Sequence, residues 1–360
     1  MPIVSLSVER FRNLEPLDAA FSPQLNIFSG ENAAGKTSIL ESLYVLARAR
    51  SFRTNNLDKA VRQGTDGFHL VARVQKAAGS EIPVGLSWRS GKMTAKINRT
   101  PVKRLSELAC LFPVQWVGGN IHRLIEEGPV QRRQYLDWGL FHVKPGYIQV
   151  WKRYHKLLKQ RNAALRASRS IDELNVWNSE LAIAGTDLHN MRKQYVNELV
   201  GDVAQFMVDL SGSQDRPVIQ YRKGWKSGVS LKEMLDSGLE KDRELGYTRA
   251  GPHRADLLFL VNDRPVIENY SRGQQKLFVV ALQIAQAQLL KATHNENSLF
   301  LLDDLGAELD IANQQRVMKM LYQFEAQVFI TSIQDIDVSD WEQQNIRRFH
   351  VKHGEVSNVV

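Results

Sequence analysis

Apolar and polar residues alternate through the opening segment MPIVSLSVER, the period-two pattern of a strand with one buried face. Leu25-Asn26-Ile27-Phe28 and Val328-Phe329-Ile330 read as short strands, and so does the run 298–302, which delivers Asp303 and Asp304 to its C-terminal edge. Residues 256–261 predict another strand, closed by a turn at Asn262-Asp263. Elsewhere the spacing switches to threes and fours. Ile39, Leu43 and Leu46 mark one helix, and Leu277, Val280, Ala281 and Ile284 mark a second. Tyr147, Val150, Trp151, Tyr154, Leu157, Leu158 and Leu165 predict a third, and from Trp177 to Leu210 a similar stripe runs for roughly five heptads. The last two predict an antiparallel arm held by mutual packing. The fold class is therefore α/β, with residues 1–120 and 246–360 forming one domain split in sequence around a helical lobe and arm over 121–245.

The strand at 25–28 runs straight into GENAAGKT, which completes the pattern G-x-x-x-x-G-K-[ST]. The residue types follow from the chemistry of a phosphate-binding loop. Gly30, Glu31, Asn32, Ala33, Ala34 and Gly35 turn backbone N–H groups toward phosphate oxygens, and Lys36 neutralises the outer phosphates. Thr37 offers a hydroxyl to Mg²⁺, and with Ser38 it opens the helix whose positive N-terminal end favours an anion. Ala33 stands where such loops often carry another glycine. The acidic strand end at Asp303-Asp304 then reads as a Walker B element, with Asp303 holding Mg²⁺ and Asp304 placed to orient an attacking water.

The segment YSRGQQK places Ser271, Gly273 and Gln274 at the start of a helix, either as a simple Ser cap or as a second anion site. Taken with the loop and the acidic strand, it resembles the LSGGQ signature of ABC-type ATPase heads. In that class the signature of one subunit closes over the γ-phosphate held by another, which implies an ATP-dependent homodimer. The same resemblance gives Gln115 the place of the Q-loop glutamine, with a part in catalysis and in holding Mg²⁺, and makes AELD at 307–310 the D-loop. Two departures stand out. Asp304 replaces the usual Glu, and the strand at 328–330 runs into Thr331-Ser332 rather than a switch His, so slow hydrolysis suited to a switch is expected.

Between residues 146 and 171 stand Lys152, Arg153, Lys156, Lys159, Arg161, Arg166 and Arg169, and no acid before Asp172. Spread over about 38 Å of helix, they match a phosphate backbone better than a solvated face, which normally intersperses acids. Arg132 and Arg133 either extend this stripe or pair with Asp137. No base-reading motif is visible, so DNA contact through shape and backbone is expected.

Composition narrows the picture. The 360 residues are 43% hydrophobic, ample for a buried core, and carry a net charge of +8, consistent with a polyanionic partner without demanding one. The lone Cys110 rules out an internal disulfide. No apolar run approaches the roughly 18 residues of a membrane span, and the N-terminus is not a signal peptide, so a cytoplasmic protein is expected.

GENAAGKTSILESLY, SFRT, GPVQRRQYLDWGLFH, LKQRNAALR, YTRAGPHRADL, YSRGQQK and LFLLDDLGAELD together resemble the RecF family, in order and over essentially the whole chain. The resemblance implies a head similar to those of SMC proteins, split around a short helical arm. It also implies ATP and Mg²⁺ as cofactors, and an ATP-dependent homodimer on double-stranded and gapped DNA. RecR, RecO and RecA are its implied partners, in loading RecA at gapped or stalled sites during replication and the SOS response. Against the family pattern, Ala33 replaces a glycine and Ala307 a serine common in the D-loop. A membrane-transporter ATPase shares the nucleotide motifs but predicts a much shorter stretch before the signature.

Overall fold

A computed structural model describes residues 2–359 apart from 77–78, 120, 168 and 335. It divides into two compact units, Met1–Ile121 with Leu290–Val360, and His122–Leu289.

The first unit holds two sheets. In one, Leu25–Ser29 lies between Gln327–Ser332 and Ile346–Lys352, followed outward on the first side by Leu299–Leu302 and Val114–Val117; all five strands are parallel, and Glu355–Val359 closes the other edge as a hairpin. Phe28, Phe329 and Phe349 come from three adjacent strands of this sheet, and Phe21 packs edge-on against all three at 4.9–6.2 Å. Two buried polar residues of this sheet are well satisfied. Asn26, fully buried, exchanges bonds of 2.8 and 2.9 Å with the Ser22 backbone, and Gln327 bonds to both backbone groups of Ile3. The second sheet is antiparallel, with Ile3–Glu9 between Leu17–Ala20 and Gly67–Gln75 and the strands to Pro101 beyond. The opening alternation is thus a strand. Helix Lys36–Arg48 presents Ile39, Leu40, Leu43 and Leu46 to the core that both sheets share.

In the second unit the two stripes form the expected arm, Tyr147–Arg166 against Ile171–Ser211. Arg161 meets Asn178 and Arg153 meets Glu180, so the pair runs antiparallel. The longer helix, 41 residues or about 60 Å, starts where the Ser170 hydroxyl accepts from Glu173 N and stops at Gly212 in the left-handed conformation. Its seam contains an unexpected charge. Arg161 belongs not to the outward stripe but to the interior, fully buried and bonded to Asn178 (2.7 Å), Asp242 (2.9 Å) and Thr248 (2.7 Å). The reason is geometric: at 100° per residue, position 161 lies half a turn from Lys152, on the side of Tyr154 and Leu165. Lys152, Lys156, Lys159 and Arg166, all exposed, share the opposite face.

Residues 246–289, grouped by the sequence with the α/β half, fall in this second unit. The strand Val218–Arg222 pairs antiparallel with Asp256–Val261, and Arg132 grips Asp256 at 2.7 and 3.1 Å. Arg132 therefore pairs with Asp256, and it is Arg192 that takes Asp137, at 2.6 Å.

Candidate nucleotide-binding site

At the C-terminal edge of the parallel sheet the chain leaves Leu25–Ser29, wraps residues 30–35 and enters helix Lys36–Arg48. Gly30 has φ 150°, and a Cβ there would lie 2.2 Å from the Val351 carbonyl oxygen, so only glycine fits. Ala33 adopts φ 62°, a left-handed conformation that disfavours alanine by about 1 kcal/mol and explains why glycine is usual there. Lys36 is buried, with its ammonium donating to the Gly30 and Glu31 carbonyls at 2.7 Å each. Burial lowers its pKa, and the nearby Asp304 and Asp303 oppose that shift.

Thr37 and Asp303 meet directly, Oγ1 donating to Oδ1 at 2.8 Å. The Thr331 hydroxyl donates to the same oxygen at 2.7 Å and accepts from the Asp304 amide at 2.9 Å. Burial raises the Asp303 pKa, and the two hydroxyl bonds pull it back down. Asp304 has φ 48°, a left-handed conformation that is uncommon outside glycine but that aspartate and asparagine tolerate best. These groups line an open cleft of about 800 Å³. A hydroxyl beside a carboxylate suits a hard divalent cation that takes its other ligands from phosphate and water. No group of three or more His, Cys, Asp or Glu that could hold a metal ion stands among the described residues.

The cleft also has walls that the motifs did not mark. Arg12, Asn13, Arg53, Arg62 and His353 line it. Glu41, fully buried on the loop's own helix, takes both ends of the Arg12 guanidinium (2.9 and 2.6 Å), the Ser51 hydroxyl (2.5 Å) and, more loosely, Arg53 (3.5 Å). Asn13 accepts from Ser38 at 2.9 Å and donates to the Ala33 carbonyl at 3.3 Å. The only sequence signal was SFRT, which carries Arg53. Gln115 is not brought to the cleft. The strand Val114–Val117 runs past it, leaving it mid-strand opposite Phe300, buried, with Nε2 unbonded among the described residues. The strand edge that faces the site lies beyond Val117, whose carbonyl accepts from Asp303 N at 2.8 Å.

A family model for the RecF/RecN/SMC N-terminal domain matches residues 2–357. The chain belongs to the RecF family. A DNA replication and repair protein RecF from Nitrosococcus oceani is 38% identical over 363 residues, covering both chains fully, and one from Vibrio parahaemolyticus is 34% identical over 99% of this chain and all of its own. A solved structure of the recombination mediator protein RecF with ATP, from the RecFOR pathway, superposes with a TM-score of 0.87 at 26% identity, covering 100% of this chain and 98% of that one. An SMC head bound to the C-terminal winged-helix domain of ScpA shares the fold, with a TM-score of 0.63 at 14% identity over 100% of this chain and 97% of that one. The fold is thus the ABC- and SMC-type head with a helical insert, in a family of DNA replication and repair. No helix among the described residues is long and apolar enough to cross a membrane.

The signature-like segment of this RecF-family chain lies in the second unit. Ser271 and Gln274 form a reciprocal cap: the Ser271 hydroxyl accepts from Gln274 N at 3.3 Å, and the Gln274 side chain accepts from Ser271 N at 2.9 Å. Ser271 is exposed, and nothing stands within 4 Å of the position a Gly273 Cβ would take. The D-loop segment forms a short helix Leu305–Glu308, after which Asp310 caps Ile311–Gln323 through Asn313 N.

Proposed function

We propose that this chain is an ATP-dependent DNA-binding protein of replication and recombinational repair. It dimerises on DNA with ATP and, with RecO and RecR, helps load RecA at gapped or stalled sites in the cytoplasm. The observation that carries the nucleotide part is the convergence of Lys36, Thr37 and Asp303 on one cleft at the mouth of a glycine-bounded loop. Bound ATP with Mg²⁺ brings the negative phosphates and the cation for which these donors are suited. Residues 30–38 cradle the phosphates, Thr37 and Asp303 hold the metal, and Asp304 orients the attacking water. With a short carboxylate and a Thr331 hydroxyl where a switch imidazole is usual, turnover is slow and serves a DNA-dependent switch. The exposed stripe Lys152, Lys156, Lys159 and Arg166 carries the DNA part, contacting the phosphate backbone without reading bases.

Ser271, Gly273 and Gln274 act in trans, over the γ-phosphate held by a second copy. The open space around Gly273 supports that approach. Ser271→Arg therefore abolishes ATP-dependent dimerisation by steric block while a dilute monomer keeps its ATP affinity, since the loop is untouched. Light scattering at matched protein and ATP concentrations, with equilibrium ATP binding alongside, reads both. Normal dimerisation of the variant would return Ser271 to the role of a helix cap.

A further inference from the structure

The GPHR turn has no part in the nucleotide cleft, yet it is tightly fixed, with Gly251 and Pro252 buried and Arg254 exposed. Arg192 donates to the Pro252 carbonyl at 2.7 Å, His253 bridges the Tyr154 hydroxyl (2.6 Å) and the Thr248 carbonyl (2.9 Å), and Arg133 donates to the Ala255 carbonyl at 2.8 Å. A second turn, following the strand Val218–Arg222, lies directly on it. Gly251 N donates to the Gly224 carbonyl at 3.2 Å, and a Cβ on Gly224 would come within 2.3 Å of the Gly251 oxygen and 2.9 Å of the Arg254 carbonyl carbon. This second turn is ordered in its own right. Lys223 and the Trp225 indole both donate to the Val229 carbonyl, at 3.2 and 3.1 Å, with the Lys223 ammonium 4.6 Å from the Trp225 ring centroid.

The charge at this junction is one-sided. Arg222, Lys226 and Arg254 are exposed, and Arg133 and Lys223 are half-buried beside them. Asp256, which lies opposite Arg222 on the neighbouring strand, is engaged from within by Arg132, and Asp137 by Arg192, Tyr147 and Trp151. Burial pushes the Arg133 pKa down, and Arg192 and Arg254 push it further, which Asp256 and Asp137 offset only in part. Solvated charge runs sit on mobile side chains among acids. Here Lys226 and Arg254 stand on two backbone turns locked to each other and Arg222 ends the strand that leads into one of them, so the backbone beneath the cations is fixed before it meets a row of phosphates, and Arg254 and Arg222 offer forked donors that match them.

We propose that these two turns form a second phosphate-contact site for duplex DNA, distinct from the stripe on the arm, with Arg254, Arg222 and Lys226 as its outer contacts. The inference rests on the DNA-binding reading above. It gives the GPHR turn a role as scaffold, with Arg254 its contact residue.

The test compares Arg222→Ala, Lys226→Ala and Arg254→Ala combined with Lys152→Ala, Lys156→Ala and Lys159→Ala combined, each measured for duplex binding with ATP across a salt series. Each lost phosphate contact lowers the slope of log K against log salt by about 0.9, so the turn variant loses about 2 to 3 in slope and binds tenfold or more weakly at 0.1 M salt. Its ATP affinity stays at the wild-type value. Arg254→Ala alone, at an exposed side chain, loses about 1 in slope and serves if the triple variant loses its melting transition. A turn variant with wild-type slope and affinity, while the arm variant loses both, overturns this site and leaves DNA binding standing, whatever protein partner the turns then serve. Wild-type protein that binds no duplex at any salt with ATP overturns the DNA reading itself and this site with it.

Discussion

Thr331 serves two neighbours with one hydroxyl, donating to the Asp303 carboxylate and accepting from the Asp304 amide. The second bond supports Asp304 in its left-handed conformation, so this threonine holds the proposed water-orienting group as well as the metal ligand. Thr331→Val keeps the shape and removes the hydroxyl, leaving a partly buried amide without its partner. It is expected to cost about 1–3 kcal/mol in urea unfolding and to slow single-turnover hydrolysis more than it weakens ATP binding. Equal losses in binding and turnover would assign Thr331 to the fold alone. The sequence showed at this position only that an imidazole was missing. What stands in its place follows from strand register, which sets Ile330 opposite Leu302 and so brings Thr331 level with Asp303. No local pattern encodes that, nor the burial of Glu41 between two arginines from distant segments.

The arm's stripes were legible because helical periodicity is local, although the long helix begins before the Trp177 where its stripe was read, at a cap on Ser170. What a single helix does not reveal is which of its charges its partners will enclose, and Arg161 and Arg192 went inside because Asp242 and Asp137 were waiting there. The loop motif and acidic strand were likewise readable, whereas Gln115 was misplaced because an apolar run does not mark where a strand leaves its sheet. His253 shows how the arm is joined to the GPHR turn. Burial holds its pKa down to about 4, with Arg254, His155 and Arg133 adding to the effect and the Thr248 carbonyl opposing it. Its ordinary value is near 6.5, so between the two the unfolded chain binds the extra proton. Stability is therefore present above about pH 6.5 and falls as the pH drops toward 4, by at most ~3 kcal/mol at about 1.4 kcal/mol per unit. Melting temperatures of the wild type and His253→Phe across that window check this: the wild-type curve should fall more steeply with acid. Parallel curves would mean that the fold does not lower the imidazole's pKa.

The strand that feeds the phosphate loop, residues 25–29, has as its two neighbours Gln327–Ser332 and Ile346–Lys352, about 300 positions later in the chain. Pairings of such separation form slowly, because a long loop must close before any contact rewards it. On the ribosome, which releases the chain from its N-terminus, the loop would emerge about 300 residues before the two strands that flank it and wait for them before its sheet could close around it. Until then its apolar flank, with Ile27 and Phe28, lacks both partners, and Phe21 lacks Phe329 and Phe349. Nucleotide binding should therefore appear late and all at once. A chain ending after residue 325 is expected to bind no ATP and to be cut by protease in the loop, whereas one running through residue 359 binds ATP and resists the cut; nascent chains stalled on a C-terminal linker long enough to clear the ribosomal exit tunnel, probed with a labelled nucleotide, would show it. The separation makes the cleft a checkpoint on synthesis, since a prematurely ended chain carries the phosphate-loop residues without the sheet that shapes them.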